Sequence, residues 1–346
     1  MSILQKILYP FSFLYGKITS ARNIFYDKGY LTSTSFKIPT IVVGNLSVGG
    51  TGKTPMVEYL VRLLQDKYKI AILSRGYKRS TKGFKIADLT STPQDIGDEP
   101  MQYYTKFKEV IVAVDSDRVN GIEQITKFFL KPDVILLDDA FQHRKVAAGL
   151  NVLLTSYNNL YVDDTLLPSG NLRENKKGAS RAQIIVVTKC PDALDKKEQF
   201  AITKKLNVQV HQTVFFSKIK YHNYIIGNKD NIATSILSKY HVLLVTGIAV
   251  TTPLLEFLKV NNISFKHLHY ADHYDFSNKE KVKIKNEYEK IKEDKKLILT
   301  TEKDYIRSFM GIDNVYYLPI ETEFIDHQHD FNKLIKKYVE QSSGNS

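Results

Sequence analysis

The chain has 346 residues, which at about 150 residues per domain predicts two domains. With 43% hydrophobic and 25% charged residues, its composition excludes a low-complexity or disordered protein. The single cysteine, Cys190, excludes an internal disulfide and indicates a reducing compartment. A net charge of +12 fits either a polyanionic partner or lysine-rich helix surfaces.

The N-terminal segment, residues 1–28, is predicted to form a helix. Its apolar positions recur at helical spacing: Leu4, Leu8, Phe11, Tyr15 and Ile18. Its cations lie elsewhere on the helical wheel: Lys6, Lys17 and Arg22. No apolar run of about 18 to 20 residues and no small-residue cleavage site occur, so neither a transmembrane helix nor a signal peptide is expected. Two alternatives remain open: the helix lies in a membrane interface, or it packs against the protein's own core.

Short apolar strands then alternate with helical sequence. Strands are predicted over residues 38–45, 69–77, 110–116, 133–140, 150–156 and 182–189. The stretch 54–68 has helical periodicity. This alternation is typical of a parallel sheet covered on both faces. We therefore predict an α/β fold in which a P-loop NTPase-like core domain with a mostly parallel sheet spans residues 29–207.

A β-branched stretch interrupts this alternation at residues 208–228, which we predict to be a β-hairpin linker. Beyond it, a second, smaller α/β domain is expected over residues 229–340. Its predicted strands are 241–249, 264–270 and 296–304, and its predicted helices are 253–261 and 277–292. The polar end of the chain, residues 340–346, is predicted to be disordered.

The stretch GNLSVGGTGKTP, residues 44–55, lies between a predicted strand and a predicted helix. Its glycines let backbone N–H groups close around a phosphate. Lys53 would reach the β- and γ-phosphates of ATP, and the Thr54 hydroxyl would bind Mg²⁺. Ser47 stands where the phosphate-loop pattern has its first glycine. The predicted nucleotide-binding residues are Ser47, Val48, Gly49, Gly50, Thr51, Gly52, Lys53 and Thr54.

Three further groups of residues contain acidic side chains that could take part in catalysis or metal binding. Asp138 and Asp139 end a predicted strand, at the sheet edge where ligands bind, and are predicted to associate with Mg²⁺. The other two groups are Asp98 and Glu99 in IGDEP, and Asp272, His273 and Asp275 in YADHYDF. A carboxylate supported by a histidine can act as a general base. From spacing alone, however, a capping or turn role is favoured for both groups.

Several motifs occur together in a fixed order: VVGNLSVGGTGKTP, LSRGY, GDEP, LDDAFQHR, LLPSGNLRE, RAQIIVVTK, DHYDF and LTTEKD. With the N-terminal LYPFSFLYG, they resemble the tetraacyldisaccharide 4'-kinases of lipid A biosynthesis over nearly the whole chain. The resemblance implies transfer of the γ-phosphate of ATP to the 4'-hydroxyl of tetraacyldisaccharide 1-phosphate, giving lipid IVA and ADP. It also implies a peripheral protein at the cytoplasmic face of a Gram-negative inner membrane, with the N-terminal helix dipping into the bilayer.

The resemblance also implies roles for individual residues. Asp98 is similar to the family's base and His273 to its partner, while Lys53 is the phosphate-binding lysine. The implied Mg²⁺-associated residues are Thr54, Asp138 and Asp139. The implied basic residues near the phosphates or the substrate head group are Arg118 and Arg173. Two positions depart from the residues common in the family: Ala140 and Tyr274.

Two other functions compete with this hypothesis. A switch-like ATPase of the partitioning and metallochaperone type also carries GGxGKT, but Val48 stands where those proteins often have a signature lysine. A nucleic-acid binder is suggested only by the net charge, without a zinc pattern or an RNA-recognition signature. We therefore expect no nucleic acid and no obligate protein partner, and a lipid disaccharide as substrate.

Overall fold

The computed structural model describes residues 3–127 and 131–343, and the chain divides into two compact units. Unit 1 comprises Met1–Ile219 and Thr322–Ser346, and unit 2 comprises Lys220–Glu321. The predicted second domain, 229–340, is therefore too long at its C-terminal end, because the chain returns to unit 1 at Thr322.

Unit 1 is built on a large sheet. Among the described residues it has nine strands in the order β15-β8-β7-β6-β1-β5-β2-β4-β3. The strands are β1 (Thr40–Asn45), β2 (Ile70–Ser74), β3 (Lys85–Ile86), β4 (Ile111–Val114), β5 (Val134–Asp138), β6 (Leu150–Ser156), β7 (Ile184–Thr188), β8 (Thr213–Tyr221) and β15 (Ile320–Phe324). All neighbouring pairs from β8 to β4 are parallel, and β3 pairs antiparallel with β4. The predicted mostly parallel α/β fold is confirmed.

Unit 1 also has seven helices among its described residues, several of which pack against this sheet. They are α1 (Ile3–Asp27), α2 (Lys53–Leu64), α3 (Pro93–Ile96), α4 (Asp98–Lys106), α5 (Arg118–Lys127), α6 (Lys196–Leu206) and α10 (Gln328–Ser343), with 3₁₀ turns at Tyr161–Asp163 and Lys176–Arg181. Strand β1 is buried along its whole length, as expected of a strand covered on both faces. Two apolar clusters form the core, one centred on β1 residues Ile41 and Val43 and the other containing Val42.

Helix α10 explains why the chain returns to unit 1. Its side chains Phe331, Ile335 and Val339 are fully buried in the same core cluster as Met56 and Phe215. Burial of this apolar face stabilises the helix. The predicted disorder of residues 340–346 is therefore wrong for 340–343, which continue α10, and residues 344–346 lie outside the described part of the chain.

Unit 2 has its own sheet. Six strands are found among its residues, in the order β10-β9-β14-β13-β11-β12. They are β9 (Tyr224–Gly227), β10 (Asn231–Ala233), β11 (His241–Thr246), β12 (Ser264–His269), β13 (Lys296–Thr301) and β14 (Val315–Leu318). The helices are α7 (Thr252–Val260), α8 (Asn278–Glu289) and α9 (Glu302–Asp304), with a 3₁₀ turn at Thr234–Lys239 and a π-turn at Tyr305–Phe309. Strands β12, β11, β13 and β14 are parallel.

The predicted hairpin at 208–228 is not formed. Strand β8 pairs with β7 in the large sheet, whereas β9 pairs with β10 and β14 in the smaller one. The alternating apolar residues that suggested one hairpin therefore belong to edge regions of two sheets. Local sequence pattern cannot distinguish these arrangements, because the partners of each strand are distant in the chain.

Helix α1 docks on unit 1 through polar atoms. The hydroxyl of Ser12, which is 3% exposed, donates to Ser169 Oγ over 2.8 Å, and Tyr15 Oη donates to the Arg173 carbonyl over 2.7 Å. Asn23 donates to Glu174 over 2.7 Å. Apolar side chains of the helix are exposed: Ile7, Phe11, Phe13, Leu14, Ile18, Ile24 and Phe25.

The exposed face differs from the one predicted from helical spacing. Phe11 and Ile18 belong to it, but the Tyr15 hydroxyl faces the protein and Leu8 is half-buried. The side chains of Leu4 and Lys6 lie outside the described set. No helix within the described residues is long and apolar enough to span a bilayer.

Candidate phosphoryl-transfer site

The glycine loop joins the carboxyl end of β1 to the start of α2. Gly49 and Gly52 have φ angles of 105° and 85°, a left-handed conformation that favours glycine. Asn45 Nδ2 donates to Thr51 Oγ1 over 2.7 Å, and Thr188 Oγ1 donates to the Thr51 carbonyl over 2.8 Å. The loop is thus held from both sides, and the first N–H groups of α2 lack partners within the helix. This is the arrangement of an anion-binding helix start.

Ser47 has a structural role that a glycine does not require. It forms an antiparallel bridge with Leu172, and the next residue, Val48, donates its N–H to the Asn171 carbonyl over 2.8 Å. The entry of the loop is therefore extended and tied to the 171–173 segment. A side chain is compatible with this extended backbone, which explains why the first glycine of the pattern is dispensable here.

Lys53 and Arg173 converge on Asp139. Lys53 Nζ lies 3.6 Å from Asp139 Oδ1, and Arg173 Nη1 lies 2.8 and 2.9 Å from the two Asp139 oxygens. Burial opposes ionisation of Asp139, but the two cations outweigh it and hold its pKa below the ordinary value. Asp139 also has a left-handed φ of 48°, which turns its side chain sharply at the end of β5. The sequence-predicted residues Lys53, Asp139 and Arg173 therefore meet in one place.

Asp138 differs sharply from its neighbour. It is 4% exposed, its Oδ2 accepts a hydrogen bond from Ser74 Oγ at 3.3 Å, and its Oδ1 has no hydrogen-bond partner among the described residues. Burial, reinforced by the adjacent Asp139 charge, raises the Asp138 pKa to about 6. A buried carboxylate oxygen without a partner is costly unless a ligand satisfies it.

Arg118 supports the end of β5. It is 2% exposed, and its guanidinium donates to the Asp115 carbonyl and, over 3.2 Å, to the Asp138 carbonyl. Burial lowers its pKa to about 10. The side chain is enclosed and directed at backbone oxygens, and the role of Arg118 near the phosphates or the substrate head group stays a prediction.

Asp98 opens helix α4, and the turn before it packs closely on another turn. Gly97 has a φ of 96°, and a Cβ at this position would stand 3.1 Å from the Tyr77 carbonyl oxygen and 3.2 Å from Gly76. The GDEP and RGY motifs are thus in backbone contact. Both motifs are present in the sequence, but the sequence does not show that they are in contact.

A basic cavity of about 450 Å³ lies at the RGY turn. It is lined by Arg75, Gly76, Tyr77, Lys78, Arg79, Thr81, Lys82, Gly83 and Ser116. Four of these residues are cationic and none is acidic, which suits an anionic ligand. Sequence reasoning missed this site, although the density of cations in RGYKRSTKG was a usable signal.

Two further residues of the site were missed. Lys189, at the end of β7, has its Nζ 3.7 Å from the point where a Cβ of Gly50 would stand, and burial lowers its pKa. Tyr103 is fully buried, and burial together with the Asp138 carboxylate raises its pKa well above the ordinary value. Lys189 therefore adds a cation to the glycine loop, and Tyr103 is a buried phenol that interacts with Asp138.

His273 lies in unit 2, on the turn that follows β12. Its backbone N–H donates to the Gly247 carbonyl over 2.9 Å, and its Nε2 lies 3.1 Å from Lys303 Nζ. Gly247 follows β11 and Lys303 follows β13, so this histidine stands at the carboxyl ends of two parallel strands. The other acids of this motif, Asp272 and Asp275, are exposed.

The described residues contain no cluster of three histidine, cysteine, aspartate or glutamate side chains that could hold a metal ion alone. A cation at the glycine loop would therefore need oxygen ligands of other kinds. The Thr54 hydroxyl and the unpartnered Asp138 oxygen are oxygen donors of the kind that Mg²⁺, which keeps few protein ligands, takes from proteins.

Comparison with known proteins gives matches along the whole chain. The family model for tetraacyldisaccharide-1-P 4'-kinase matches residues 4–340. A tetraacyldisaccharide 4'-kinase of Flavobacterium johnsoniae is 50% identical over 99% of both chains, and one of Bacteroides thetaiotaomicron is 45% identical over 99% of this chain and 95% of the relative. The LpxK structure from Aquifex aeolicus in complex with ATP is 33% identical, with a TM-score of 0.79 over 97% of this chain and 100% of that one.

Proposed function

This chain belongs to the tetraacyldisaccharide-1-P 4'-kinase family, and we propose that the site described above transfers phosphate from ATP to its substrate. The enzyme is a lipid A 4'-kinase: it moves the γ-phosphate of ATP to the 4'-hydroxyl of tetraacyldisaccharide 1-phosphate, giving lipid IVA and ADP. The observation that carries the site assignment is the convergence of Lys53, Arg173 and two strand-end aspartates beside the glycine loop.

ATP is held by the loop and its cations. The N–H groups of Gly50 to Thr54 and the Lys53 ammonium contact the β- and γ-phosphates. Asp139 holds Lys53 and Arg173 near each other, because both cations already pair with its carboxylate. We therefore give Asp139 this orienting role in place of the metal-binding role expected from the sequence. Charge that develops on the transferring phosphoryl group is stabilised by these fixed donors.

Asp138 and Thr54 would hold Mg²⁺. The unpartnered, buried Asp138 oxygen supports this assignment, since a cation there offsets the unfavourable burial of the carboxylate. When bound, Mg²⁺ neutralises charge on the phosphate oxygens.

Asp98 acts as the general base. Its carboxylate takes the proton of the 4'-hydroxyl while the hydroxyl oxygen bonds to the γ-phosphorus and the bond to the β–γ bridging oxygen breaks, releasing ADP. The backbone contact between the GDEP and RGY turns ties Asp98 to the basic cavity. That cavity would bind the 1-phosphate of the substrate, and His273 would serve as the partner of Asp98.

Helix α1 attaches the enzyme to the membrane surface. Its polar atoms are used to dock on unit 1, while Ile7, Phe11, Leu14 and Ile18 repeat at helical spacing on an exposed apolar face. Such a face is stabilised by burial at the headgroup boundary. This supports the interface alternative over packing in the core, with the protein peripheral to the cytoplasmic face of the inner membrane.

The reaction is tested with radiolabelled ATP and tetraacyldisaccharide 1-phosphate in detergent micelles. We expect Lys53→Ala to abolish transfer, and Asp98→Ala to lower turnover by roughly two to four powers of ten while ATP binding persists. Matched controls are Lys67→Ala and Asp66→Ala, at exposed positions in the turn that follows α2. Near-normal turnover in Asp98→Ala would remove this residue from the mechanism, and label released mainly as inorganic phosphate would favour a switch-like ATPase.

Membrane attachment is tested by co-sedimentation with vesicles of neutral and anionic phospholipid. Phe11→Ser together with Ile18→Ser should weaken binding at least tenfold, because each buried CH₂ contributes about 0.8 kcal/mol. A matched control replaces Phe200 with serine, an aromatic side chain that is 71% exposed on α6. Equal loss of binding in both variants would argue against a specific role for α1.

A further inference from the structure

The segment at the end of β13, TEKDYIR, residues 301–307, has no place in the mechanism above, yet it contains buried charged side chains, among them those of Asp304 and Arg307. Asp304 is fully buried, and the side chain of Arg307 is 6% exposed. Their charged groups lie 3.2 Å apart. A buried ion pair seldom adds net stability compared with apolar residues. The reason for this pair must therefore be sought in the groups that it contacts.

Both charged groups are directed at the turn that carries His273. Asp304 Oδ2 accepts the Gly247 N–H at 2.9 Å, and the Gly247 carbonyl in turn accepts the His273 N–H at 2.9 Å. Arg307 Nη1 donates to the Tyr274 carbonyl over 2.9 Å. Asp304 and Arg307 thus fix the backbone on both sides of His273, whose φ of 58° lies in the left-handed region.

A third residue of the segment, Lys303, contacts the His273 imidazole itself. Lys303 Nζ lies 3.1 Å from His273 Nε2. A lysine ammonium has three donors and no acceptor, so Nε2 must be the acceptor of this hydrogen bond. A neutral imidazole that accepts at one nitrogen carries its proton on the other. The contact therefore selects the tautomer with hydrogen on Nδ1.

We propose that Lys303 is a positioning residue that holds His273 as a neutral imidazole protonated on Nδ1, on a turn fixed by Asp304 and Arg307. The inference rests on the proposed function in one respect, the role of His273 as partner of Asp98. In this tautomer the histidine presents an N–H donor, which orients a carboxylate by hydrogen bonding. His273 then supports the base and does not compete with it for the substrate proton.

The tautomer is measured directly by ¹⁵N-histidine NMR on the full chain, with the His273 signals assigned by their loss in His273→Gln. We expect an unprotonated Nε2 and a protonated Nδ1 in the unsubstituted protein. Lys303→Met keeps the length of the side chain but removes the donor, and should give a mixture of tautomers. Lys303→Arg, which keeps a donor, should restore the Nδ1–H form.

Kinetics supply the second measurement. Lys303→Met should lower kcat roughly tenfold to a hundredfold, a part of the 10²–10⁴ that a general base contributes, with the KM for ATP unchanged. Lys303→Arg should recover most of the loss. Lys285→Met, which removes an exposed α8 lysine 3.9 Å from Glu289, is the control for the loss of one positive charge.

Two results would overturn the inference: a protonated Nε2 in the unsubstituted protein, or an unchanged His273 spectrum in Lys303→Met. Failure of the proposed function gives a different pattern. If His273→Gln and Asp98→Ala retain normal turnover while the tautomer responds to Lys303 as expected, the dyad is wrong and the positioning by Lys303 stands.

Discussion

Two buried aspartates, one in each unit, stand at the carboxyl ends of parallel strands and are treated in opposite ways. Asp304 in unit 2 accepts a backbone N–H from Gly247, a hydroxyl from Thr301 and an ion pair from Arg307. Asp138 in unit 1 has one hydroxyl contact, to Ser74 at 3.3 Å. The Oδ1 atom of each acid lacks a hydrogen bond among the described residues, but Asp304 Oδ1 lies 3.2 Å from Arg307 Nη1.

From this difference we infer a structural role for Asp304 and a ligand-binding role for Asp138. Burial raises the pKa of both carboxyls. For Asp304 the unfavourable burial is offset within the protein by Gly247, Thr301 and Arg307. For Asp138 we propose that a bound cation supplies the offset, and we assign Asp304 to the turn that carries His273.

The largest effect expected from this comparison is on catalysis. Asp138→Asn should lower kcat roughly 10²- to 10³-fold, as loss of one charge-stabilising group does, with folding intact. Asp304→Asn should lower the kcat of the folded protein far less. Initial rates at saturating ATP, with the folded fraction determined by circular dichroism, decide the point. Comparable losses in the two variants would erase the distinction.

The second effect concerns stability and falls on the other aspartate. Asp304→Asn removes the carboxylate charge 3.2 Å from the buried Arg307 guanidinium, so we expect the local free energy of unfolding to fall by about 3 kcal/mol. Amide hydrogen exchange of β11 and β13 reports this within unit 2. Exchange rates equal to those of the unsubstituted protein would show that the ion pair contributes nothing there.

The third and smallest effect is the pH dependence of Asp138. Its pKa is raised from 3.8 to about 6 in the folded state, so the folded protein retains a proton that the unfolded chain releases. Ionisation therefore costs stability as pH rises through this window, by about 3 kcal/mol at most. In metal-free buffer, the stability of Asp138→Asn relative to the unsubstituted protein should increase between pH 4 and pH 7.

Urea unfolding of both proteins at several pH values measures this difference. Other titrating groups are common to the two proteins and largely cancel in the comparison. A difference independent of pH, or one that shrinks as pH rises, would contradict the raised pKa of Asp138.

The sequence predicted those parts of the molecule that depend on local pattern. Strand β1, the glycine loop and helix α2 follow from apolar periodicity and left-handed glycines, and these features are readable within 25 residues. The position of Asp138 and Asp139 at the ligand-binding edge of the sheet also follows from the sequence, since carboxyl ends of parallel strands share one edge. The family resemblance added the substrate, which no local pattern reveals.

The remaining features depend on contacts between distant residues. Nothing in the local pattern shows that β8 and β9 join different sheets, or that α10 completes the core of unit 1. Likewise, the burial of Arg118 and the proximity of Lys189 to Gly50 arise only from packing. On α1, helical spacing indicated amphipathicity but not which side docks, because serine and tyrosine hydroxyls made the contacts with the protein.

The hydrogen bond from Tyr15 to the Arg173 carbonyl links helix α1, the proposed membrane anchor, directly to a residue of the proposed phosphate site. The Arg173 side chain donates hydrogen bonds to Asp139, while its backbone carbonyl accepts one from Tyr15 of α1. A chain shortened to remove the helix would thus lose both the proposed attachment and this support for Arg173, so truncation cannot separate the two effects. To vary membrane binding alone, one must instead substitute the exposed apolar side chains of α1, because these changes leave the Tyr15 contact to Arg173 intact.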